Sequence, residues 1–241
     1  VAVRGSDALD LVKQFDVTAV SLDIFLPDAI GWNVLSSLKL NPSTRHIPVQ
    51  IVTTDEDRQH GLARGAFSFL TKAANVNDLE NAFCRIRDYT ARDKKRLLVA
   101  EDNATEQNSI KELLGHDDIE IVSAQTGSKC LSLLRSEPFD CVVLDLKLPD
   151  ISGFELLKEI GGDPALSDLP VVIFTGRELS PEEDNELHAV ARSIVVKGVE
   201  SPERLLDETA LFLHRVVANL PATKQRMIEL LRDSDEQLAG R

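Results

Sequence analysis

The sequence predicts an α/β protein made of two tandem copies of one module, an open sheet of parallel strands covered by helices on both faces. One observation is a repeat: residues 22–28 (LDIFLPD) return as residues 144–150 (LDLKLPD). A second is that short apolar runs alternate with amphipathic helical stretches, which favours parallel strands joined by crossover helices. A third is that polar residues follow the apolar runs, at the strand ends where such sheets carry their functional groups.

The spacing of the repeated residues gives the size of the module. Three pairs of identical residues recur at nearly the same spacing. Asp23 and Asp145 are 122 residues apart (145 minus 23), and Thr53 and Thr175 are also 122 apart (175 minus 53). Lys72 and Lys197 are 125 apart (197 minus 72). Repeat arrays use periods of roughly 20 to 50 residues, so a period this long indicates a whole domain.

Composition and charge exclude several classes of protein. With 241 residues and 43% hydrophobic content the chain can form two cores. It has no long apolar run and no signal-peptide start, so we expect a cytoplasmic protein that is not inserted in a membrane. The net charge of -13 argues against nucleic acid as a partner, because nucleic acid binding needs a basic face. Cys84, Cys130 and Cys141 lack CxxC spacing and are predicted to be buried structural thiols.

The second copy, residues 93–220, shows the predicted strands most clearly. Residues 141–144 form a continuous apolar run, which is typical of a parallel strand buried on both faces. Each predicted strand is followed by a helical pattern, so the copy contains five strand–helix units. The predicted strands are residues 96–100, 119–123, 141–144, 171–174 and 194–196.

Helices of the second copy are predicted from their start signals and apolar spacing. Asn103, followed by Glu106 three residues later, forms a capping pair for the first helix. Ile110, Leu113 and Leu114 give that helix its apolar stripe. Two later helices begin with Ser-Pro-Glu, a strong start signal. The remaining predicted helices are residues 127–134, 153–160, 181–191 and 202–220.

The first copy, residues 1–92, departs from this pattern at its start. Residues 1–3 correspond to the second strand of the second copy and residues 6–15 to its second helix. This copy therefore has no counterpart of the first strand, of the first helix or of the acidic pair Glu101-Asp102 that lies between them in the second copy. We therefore expect an incomplete module and a fragment of a longer protein. After the second copy, Pro221 begins a further helical pattern, which predicts a C-terminal helical linker over residues 221–241.

Polar residues that follow four predicted strands form the candidate site of the second copy. Because the carboxyl ends of parallel strands meet at one edge of a sheet, these side chains are predicted to converge. Each residue taken singly has a structural explanation as a turn, a helix cap or a strand end, and only the combination indicates a site. Clustered carboxylates repel one another unless a cation lies among them, and oxygen ligands suit Mg²⁺. The residues are Glu101, Asp102, Asp145, Thr175 and Lys197.

With these residues in place, the chain resembles two receiver domains of two-component signalling, the phosphoacceptor modules of response regulators and hybrid histidine kinases. The resemblance covers both copies and suggests a fragment of a multi-receiver hybrid histidine kinase. It implies a flavodoxin-like, doubly wound sheet of five parallel strands in the order 2-1-3-4-5, with the first copy lacking its first strand and helix.

For the second copy the resemblance implies a phosphoacceptor site that depends on Mg²⁺, or on Mn²⁺. Asp145 would accept a phosphoryl group from a phosphohistidine. Thr175 would hydrogen-bond the phosphoryl oxygen, and Lys197 would pair with it. The implied metal ligands are Asp102 directly, Glu101 through water, Asp145, and the backbone carbonyl of Lys147.

For the first copy the resemblance makes Asp23 the equivalent acceptor, with Thr53 and Lys72 beside it and the carbonyl of Phe25 in the place of Lys147. Without the acidic pair its metal site is incomplete, so phosphorylation of Asp23 is expected only in an intact parent. The implied partners are a histidine kinase or a histidine phosphotransfer domain, and a homodimer is a further candidate assembly.

One alternative stays open at this point: a pseudo-receiver that serves as a docking or dimerisation surface without phosphorylation, as the missing acidic pair would favour. The chain has no recognisable kinase core, since none of its five histidines lies in a phosphoacceptor helix and no glycine-rich ATP motif occurs. Enzymatic activity is therefore expected to be limited to phosphorylation and dephosphorylation of its own aspartates, and any kinase activity would belong to the parent protein.

Overall fold

The structure, a computed structural model, describes residues 1–54, 58–72, 74–188, 190–198 and 201–239. The chain divides into two compact units. The first unit is Val1–Asp93 together with His214–Val216, and the second is Lys94–Leu213 together with Val217–Arg241.

The first unit has three parallel strands in the order β1-β2-β3. Its core lies between the sheet and α2, where Leu22, Leu35 and Ile51 are almost fully buried. The elements of this unit are α1 (Gly5–Gln14), β1 (Val20–Asp23), α2 (Gly31–Leu40), β2 (Val49–Thr53), α3 (Arg58–Ala63), β3 (Ser68–Thr71) and α4 (Val76–Thr90).

The second unit has five parallel strands in the order β5-β4-β6-β7-β8, which is the order 2-1-3-4-5 within the unit. This confirms the fold class predicted from the sequence, a flavodoxin-like α/β sheet present in two tandem copies. The elements are β4 (Lys95–Ala100), α5 (Ala104–Leu114), β5 (Ile119–Ala124), α6 (Gly127–Ser136), β6 (Cys141–Leu144), α7 (Gly153–Gly162), β7 (Val171–Thr175), α8 (Pro181–His188), β8 (Ser193–Val196), α9 (Ser201–Phe212), a short 3-10 helix (Val217–Asn219) and α10 (Ala222–Ala239).

Two apolar layers cover the five-stranded sheet, one on each face. Successive side chains of a strand point to opposite faces, so Val142 packs with α6 and α7 whereas Val143 packs with α5 and α9. All four residues of β6 are buried, as expected for the central part of a parallel sheet. This double covering leaves the strand ends as the place where polar groups can gather.

The structure differs from the sequence predictions at the start of the first unit and at the end of α9. Residues 1–3 do not form a strand, and Val1 and Val3 are exposed. In the second unit the equivalent strand, β5, pairs only with β4, the first strand of that unit. The described residues of the first unit contain no counterpart of β4. A strand at residues 1–3 would therefore have no neighbouring strand to pair with among the described residues. The helix expected over residues 202–220 ends at Phe212, because His214 adopts a left-handed backbone conformation with φ of 46°.

Helix α10, which the sequence pattern suggests is a linker, packs on the second unit. Ile228 and Leu231 are buried, and Ile228 belongs to the core on the α5 and α9 face. The Lys224 ammonium donates to the carbonyls of Glu112 at 3.1 Å and Gly115 at 2.7 Å, at the end of α5. Helix α10 therefore forms an additional layer of this unit.

Helix α4 of the first unit is largely exposed. Only Ile86 and Tyr89 are buried on it, and Phe83 and Cys84 are exposed. The prediction of three buried thiols is therefore wrong for Cys84, whereas Cys130 and Cys141 are fully buried. The physical reason is that α4 buries only its Ile86 and Tyr89 side chains, so Cys84 faces solvent. Within the described residues, no helix is both long and apolar enough to span a bilayer.

Candidate functional site

The candidate residues of the second unit meet at the carboxyl edge of its sheet. Adjacent strands align their ends: the backbone N–H of Asp145 donates to the carbonyl of Ala100 at 2.9 Å, so Asp145 lies beside Glu101. The N–H of Lys197 donates to the carbonyl of Thr175 at 2.8 Å, which places those two residues side by side. The parallel sheet thus brings together the residues that the sequence places far apart.

Three carboxylates form the acidic part of this site. Glu101, Asp102 and Asp145 each place an oxygen within 4.8 Å of the others. Glu101 and Asp145 are buried, with 2% and 7% of their surfaces exposed, while Asp102 is exposed. Burial raises the pKa of Glu101, although the N–H of Asn103 and the Lys197 ammonium oppose this. Crowded carboxylate oxygens of this kind fit a divalent cation that prefers oxygen ligands and keeps several waters.

Glu101 is held in place from two sides. Its Oε1 accepts the backbone N–H of Asn103 at 3.1 Å, and its Oε2 accepts from Lys197 at 3.1 Å. The Asn103 side chain in turn caps α5, accepting the N–H groups of Thr105 at 2.9 Å and Glu106 at 3.3 Å. Asn103 therefore links the start of this helix to the acidic cluster.

The Lys197 ammonium binds three carboxylates. It lies 3.1 Å from Glu101 Oε2 and 3.4 Å from Asp145 Oδ2, and it also donates to Glu106 Oε2. Burial lowers the pKa of Lys197, but the hydrogen bond to Glu106, the charge of Asp145 and the contact with Glu101 outweigh it, so the pKa is raised. Lys197 therefore supplies a positive charge beside Asp145.

Glu106 is the site residue that the sequence analysis missed. It was predicted to return to the start of α5 as half of a capping pair with Asn103. Only the Asn103 half is present, because the Glu106 side chain reaches Lys197 and the N–H of Asn103 is already bonded to Glu101. The sequence did contain a signal for Glu106 as a site residue. Glu106 lies on the first helical turn after the pair Glu101-Asp102, and that turn lies at the same edge of the sheet as the strand ends.

Thr175 and Lys147 flank the acceptor candidate. Thr175 is fully buried at the end of β7, and its Oγ1 accepts the N–H of Arg177 at 3.3 Å. The N–H of Lys147 donates to Asp145 Oδ1 at 3.3 Å, which orients that carboxylate, while the Lys147 side chain is exposed. All the candidate residues predicted for the second copy therefore lie at one edge of its sheet.

The first unit repeats part of this geometry. Asp23 Oδ2 accepts from the Lys72 ammonium at 2.5 Å, and Asp23 Oδ1 accepts the N–H of Phe25 at 3.1 Å. Burial acts to raise the pKa of Asp23, but Lys72 and the N–H of Phe25 outweigh it and lower the pKa. Thr53 is fully buried at the end of β2, and its carbonyl accepts the N–H of Lys72 at 2.9 Å. Within the part of the chain described, the only cluster of three metal-ligating side chains is the one in the second unit.

The comparison with protein families agrees with this geometry in both units. The model of the response regulator receiver domain matches residues 1–83 and residues 97–210. The chain belongs to the receiver domain family. Receiver domains bind Mg²⁺ at an acidic pocket and interact with histidine kinases or phosphotransfer proteins. The second receiver unit has an acidic cluster, Glu101, Asp102 and Asp145, at its strand ends.

Similar proteins include two-component response regulators. The chain is 27% identical to the two-component response regulator ORR5 of Oryza sativa subsp. japonica over 120 residues, which are 49% of this chain and 90% of that protein. It is 24% identical over 108 residues to the polar-differentiation response regulator DivK of Brucella ovis, covering 45% of this chain and 88% of that protein. The phosphorylated cyanobacterial phytochrome response regulator RcpA is a similar solved structure, with a TM-score of 0.47, 23% identity, and coverage of 50% of this chain and 94% of that one.

Proposed function

We propose that the second receiver unit accepts a phosphoryl group on Asp145 from a phosphohistidine, in a reaction that depends on Mg²⁺ or Mn²⁺. The donor would be a histidine kinase or a histidine phosphotransfer domain, and the parent protein a multi-receiver hybrid histidine kinase. The observation that carries this proposal is the meeting of three carboxylates and the Lys197 ammonium at one edge of the sheet.

The reaction would proceed by attack of an Asp145 carboxylate oxygen on phosphorus. The bond between phosphorus and the donor's imidazole nitrogen breaks, and its electron pair stays on that nitrogen. The N–H of Lys147, 3.3 Å from Asp145 Oδ1, limits rotation of the carboxylate and leaves Oδ2 as the oxygen nearer Lys197. Holding the nucleophile in one orientation is the main contribution a protein makes to phosphoryl transfer, together with charge stabilisation.

Negative charge develops on the phosphoryl oxygens during this transfer. Lys197 would pair with one of them, and the hydroxyl of Thr175, on the adjacent strand end, would donate to another. A divalent cation held by Asp102 and Asp145, with Glu101 acting through water and Lys147 through its carbonyl, would supply the remaining positive charge. The N–H of Asn103 keeps Glu101 oriented for that role.

In the first receiver unit Asp23 is the equivalent acceptor, with Lys72 and Thr53 in the matching places. The acidic pair beside Asp145 has no counterpart among the described residues around Asp23. We therefore propose that Asp145 is the working acceptor of this chain and that the first unit has a structural or regulatory role in it.

The test is the intact mass of the chain after incubation with acetyl phosphate and Mg²⁺. We expect one added phosphoryl group in the unmodified chain and in Asp23→Asn, and none in Asp145→Asn. Loss of the adduct only in Asp23→Asn would reverse the assignment of the acceptor. Absence of an adduct in every form would favour the alternative, a pseudo-receiver that acts as a docking or dimerisation module.

A further inference from the structure

Lys197 has one carboxylate neighbour to which the proposed reaction assigns no role. Glu106 lies on the first turn of α5, and its Oε2 accepts a hydrogen bond from the Lys197 ammonium. Of the causes that raise the pKa of Lys197, this hydrogen bond is the largest. Glu106 is thus a principal partner of the Lys197 ammonium, the group that would pair with a phosphoryl oxygen in the proposed reaction.

The two receiver units differ in where their lysine sits. In the first unit Lys72 lies 2.5 Å from Asp23, in direct contact with the acceptor carboxylate. In the second unit Lys197 lies 3.4 Å from Asp145, at the outer limit of hydrogen bonding, and contacts Glu106 as well. The extra carboxylate therefore accompanies a weaker contact between lysine and acceptor.

The carboxylates around Lys197 also differ in their freedom to move. The Glu101 side chain is 2% exposed and is held by the N–H of Asn103, so it has little room to turn away. The Glu106 side chain is 42% exposed. A glutamate at this position can release the ammonium and turn towards solvent at a modest cost, because water replaces part of the lost contact.

We infer that Glu106 is a positioning residue that competes with the phosphoryl group for Lys197. The inference rests on the proposed function. Before transfer, Glu106 shares the ammonium and stabilises the unphosphorylated site. When the phosphoryl group arrives on Asp145, Lys197 exchanges Glu106 for a phosphoryl oxygen, and no covalent bond of Glu106 changes.

The effect of Glu106 on phosphorylation is the difference between its effects on the unphosphorylated and the phosphorylated forms of the unit. Glu106 stabilises the unphosphorylated form by pairing with Lys197, and it repels the added negative charge in the phosphorylated form. Both effects oppose phosphorylation, so removal of the Glu106 charge should favour it. Glu106 would thereby set how readily this receiver unit is phosphorylated.

The test compares Glu106→Gln with Glu112→Gln, a matched change at an exposed glutamate of the same helix. Two quantities are measured with Mg²⁺: the rate constant for adduct formation from acetyl phosphate, and the affinity for beryllofluoride, which mimics a phosphoryl group. We expect Glu106→Gln to raise both by roughly three- to tenfold, the value of one partly exposed charged contact, and Glu112→Gln to leave both unchanged. The gain should shrink at high salt, because a partly exposed ion pair is screened.

Three results would overturn the inference. Equal rates and affinities in Glu106→Gln and the unmodified chain would overturn it alone, with the proposed function intact. A gain that does not change between low and high salt would assign the effect to packing and not to charge. An unmodified chain that neither gains mass nor binds beryllofluoride would overturn the proposed function, and the inference with it.

Discussion

The carboxylate of Asp150 holds the start of α6 at Gly127, which lies 23 residues earlier in the chain: its Oδ1 accepts the Gly127 N–H at 2.8 Å. Its other oxygen accepts the N–H of Ser128 at 2.9 Å. The first receiver unit has the same arrangement, in which Asp28 accepts the N–H of Gly5 at 2.8 Å. The last Asp of the repeated LPD segment is therefore a helix cap supplied from a distant loop, and the Gly-Ser pair that it binds is repeated too.

Replacing Asp150 should destabilise the second unit. Asp150→Ala removes two acceptors from the start of α6, so we expect a lower urea midpoint with an unchanged slope, measured by circular dichroism. Asp117→Ala, at an exposed aspartate, is the control and should leave the midpoint unchanged.

The difference in urea midpoint between the unmodified chain and Asp150→Ala should depend on pH, with a sign set by the pKa of Asp150. Hydrogen bonds from Ser128 and Gly127 lower the pKa of Asp150 well below its ordinary value of 3.8. The stabilisation is therefore fully present above pH 3.8 and is lost as the pH falls through the lower pKa of the folded chain. A midpoint difference that stays the same through strongly acidic pH would contradict this role.

Asp102 should determine the metal dependence of phosphorylation. Asp102→Asn removes one of the clustered carboxylates while keeping the size of the side chain. We expect the Mg²⁺ concentration needed for half-maximal adduct formation to rise by at least about tenfold, because loss of a direct ligand should cost no less than the roughly ten- to hundredfold typical of residues that only orient a ligand. Asp117→Asn is the matched control, and an unchanged Mg²⁺ requirement in Asp102→Asn would argue against metal binding at this cluster.

One cysteine should react in the folded chain. Burial raises the pKa of Cys130 to about 12, which keeps that thiol protonated, and Cys141 is fully buried as well, whereas Cys84 is exposed. With a coloured disulfide reagent at pH 8, we expect one thiol to react before denaturation and three after it. Cys84→Ser should abolish the reaction of the native chain, and continued reaction in that variant would show that the core opens.

Lys39 should make the stability of the first unit depend on pH. Burial, and then the charge of Arg45, lower the pKa of Lys39 from 10.5 to about 7, and its ammonium lies 2.7 Å from the carbonyl of Ile47. Between these two values the unfolded chain binds more protons than the folded chain, so the free energy of unfolding should rise with pH, by up to about 1.4 kcal/mol per pH unit.

The measurement is urea unfolding followed by the fluorescence of Trp32, the single tryptophan, which lies on α2 of the first unit. Lys39→Met should lose this rise between pH 7 and 10.5, the window set by the two pKa values. Lys13→Met, at an exposed lysine of α1, should keep it. The same rise in both variants would rule out Lys39 as its source.

Local sequence patterns predicted the strands and helices of the second unit closely. Residues 141–144 were predicted as a strand and are β6, since a short continuous apolar run is typical of a parallel strand covered on both faces. The helix predicted from Asn103 is α5, and Asn103 does cap it. The end of α9 was predicted too late because the left-handed conformation of His214 is not indicated by a glycine, the residue that usually adopts it.

The sequence by itself determined the two-unit organisation, the parallel α/β architecture and the set of strand-end residues, because a repeat and an apolar period are visible without contacts. Only the tertiary structure decided that Glu106 shares Lys197, that Asp150 caps a helix 23 residues away, and that α10 covers the second unit. These depend on how separate elements approach one another. A glutamate can bond to its own helix or to a distant lysine, and packing between the helix and the strand end selects the partner.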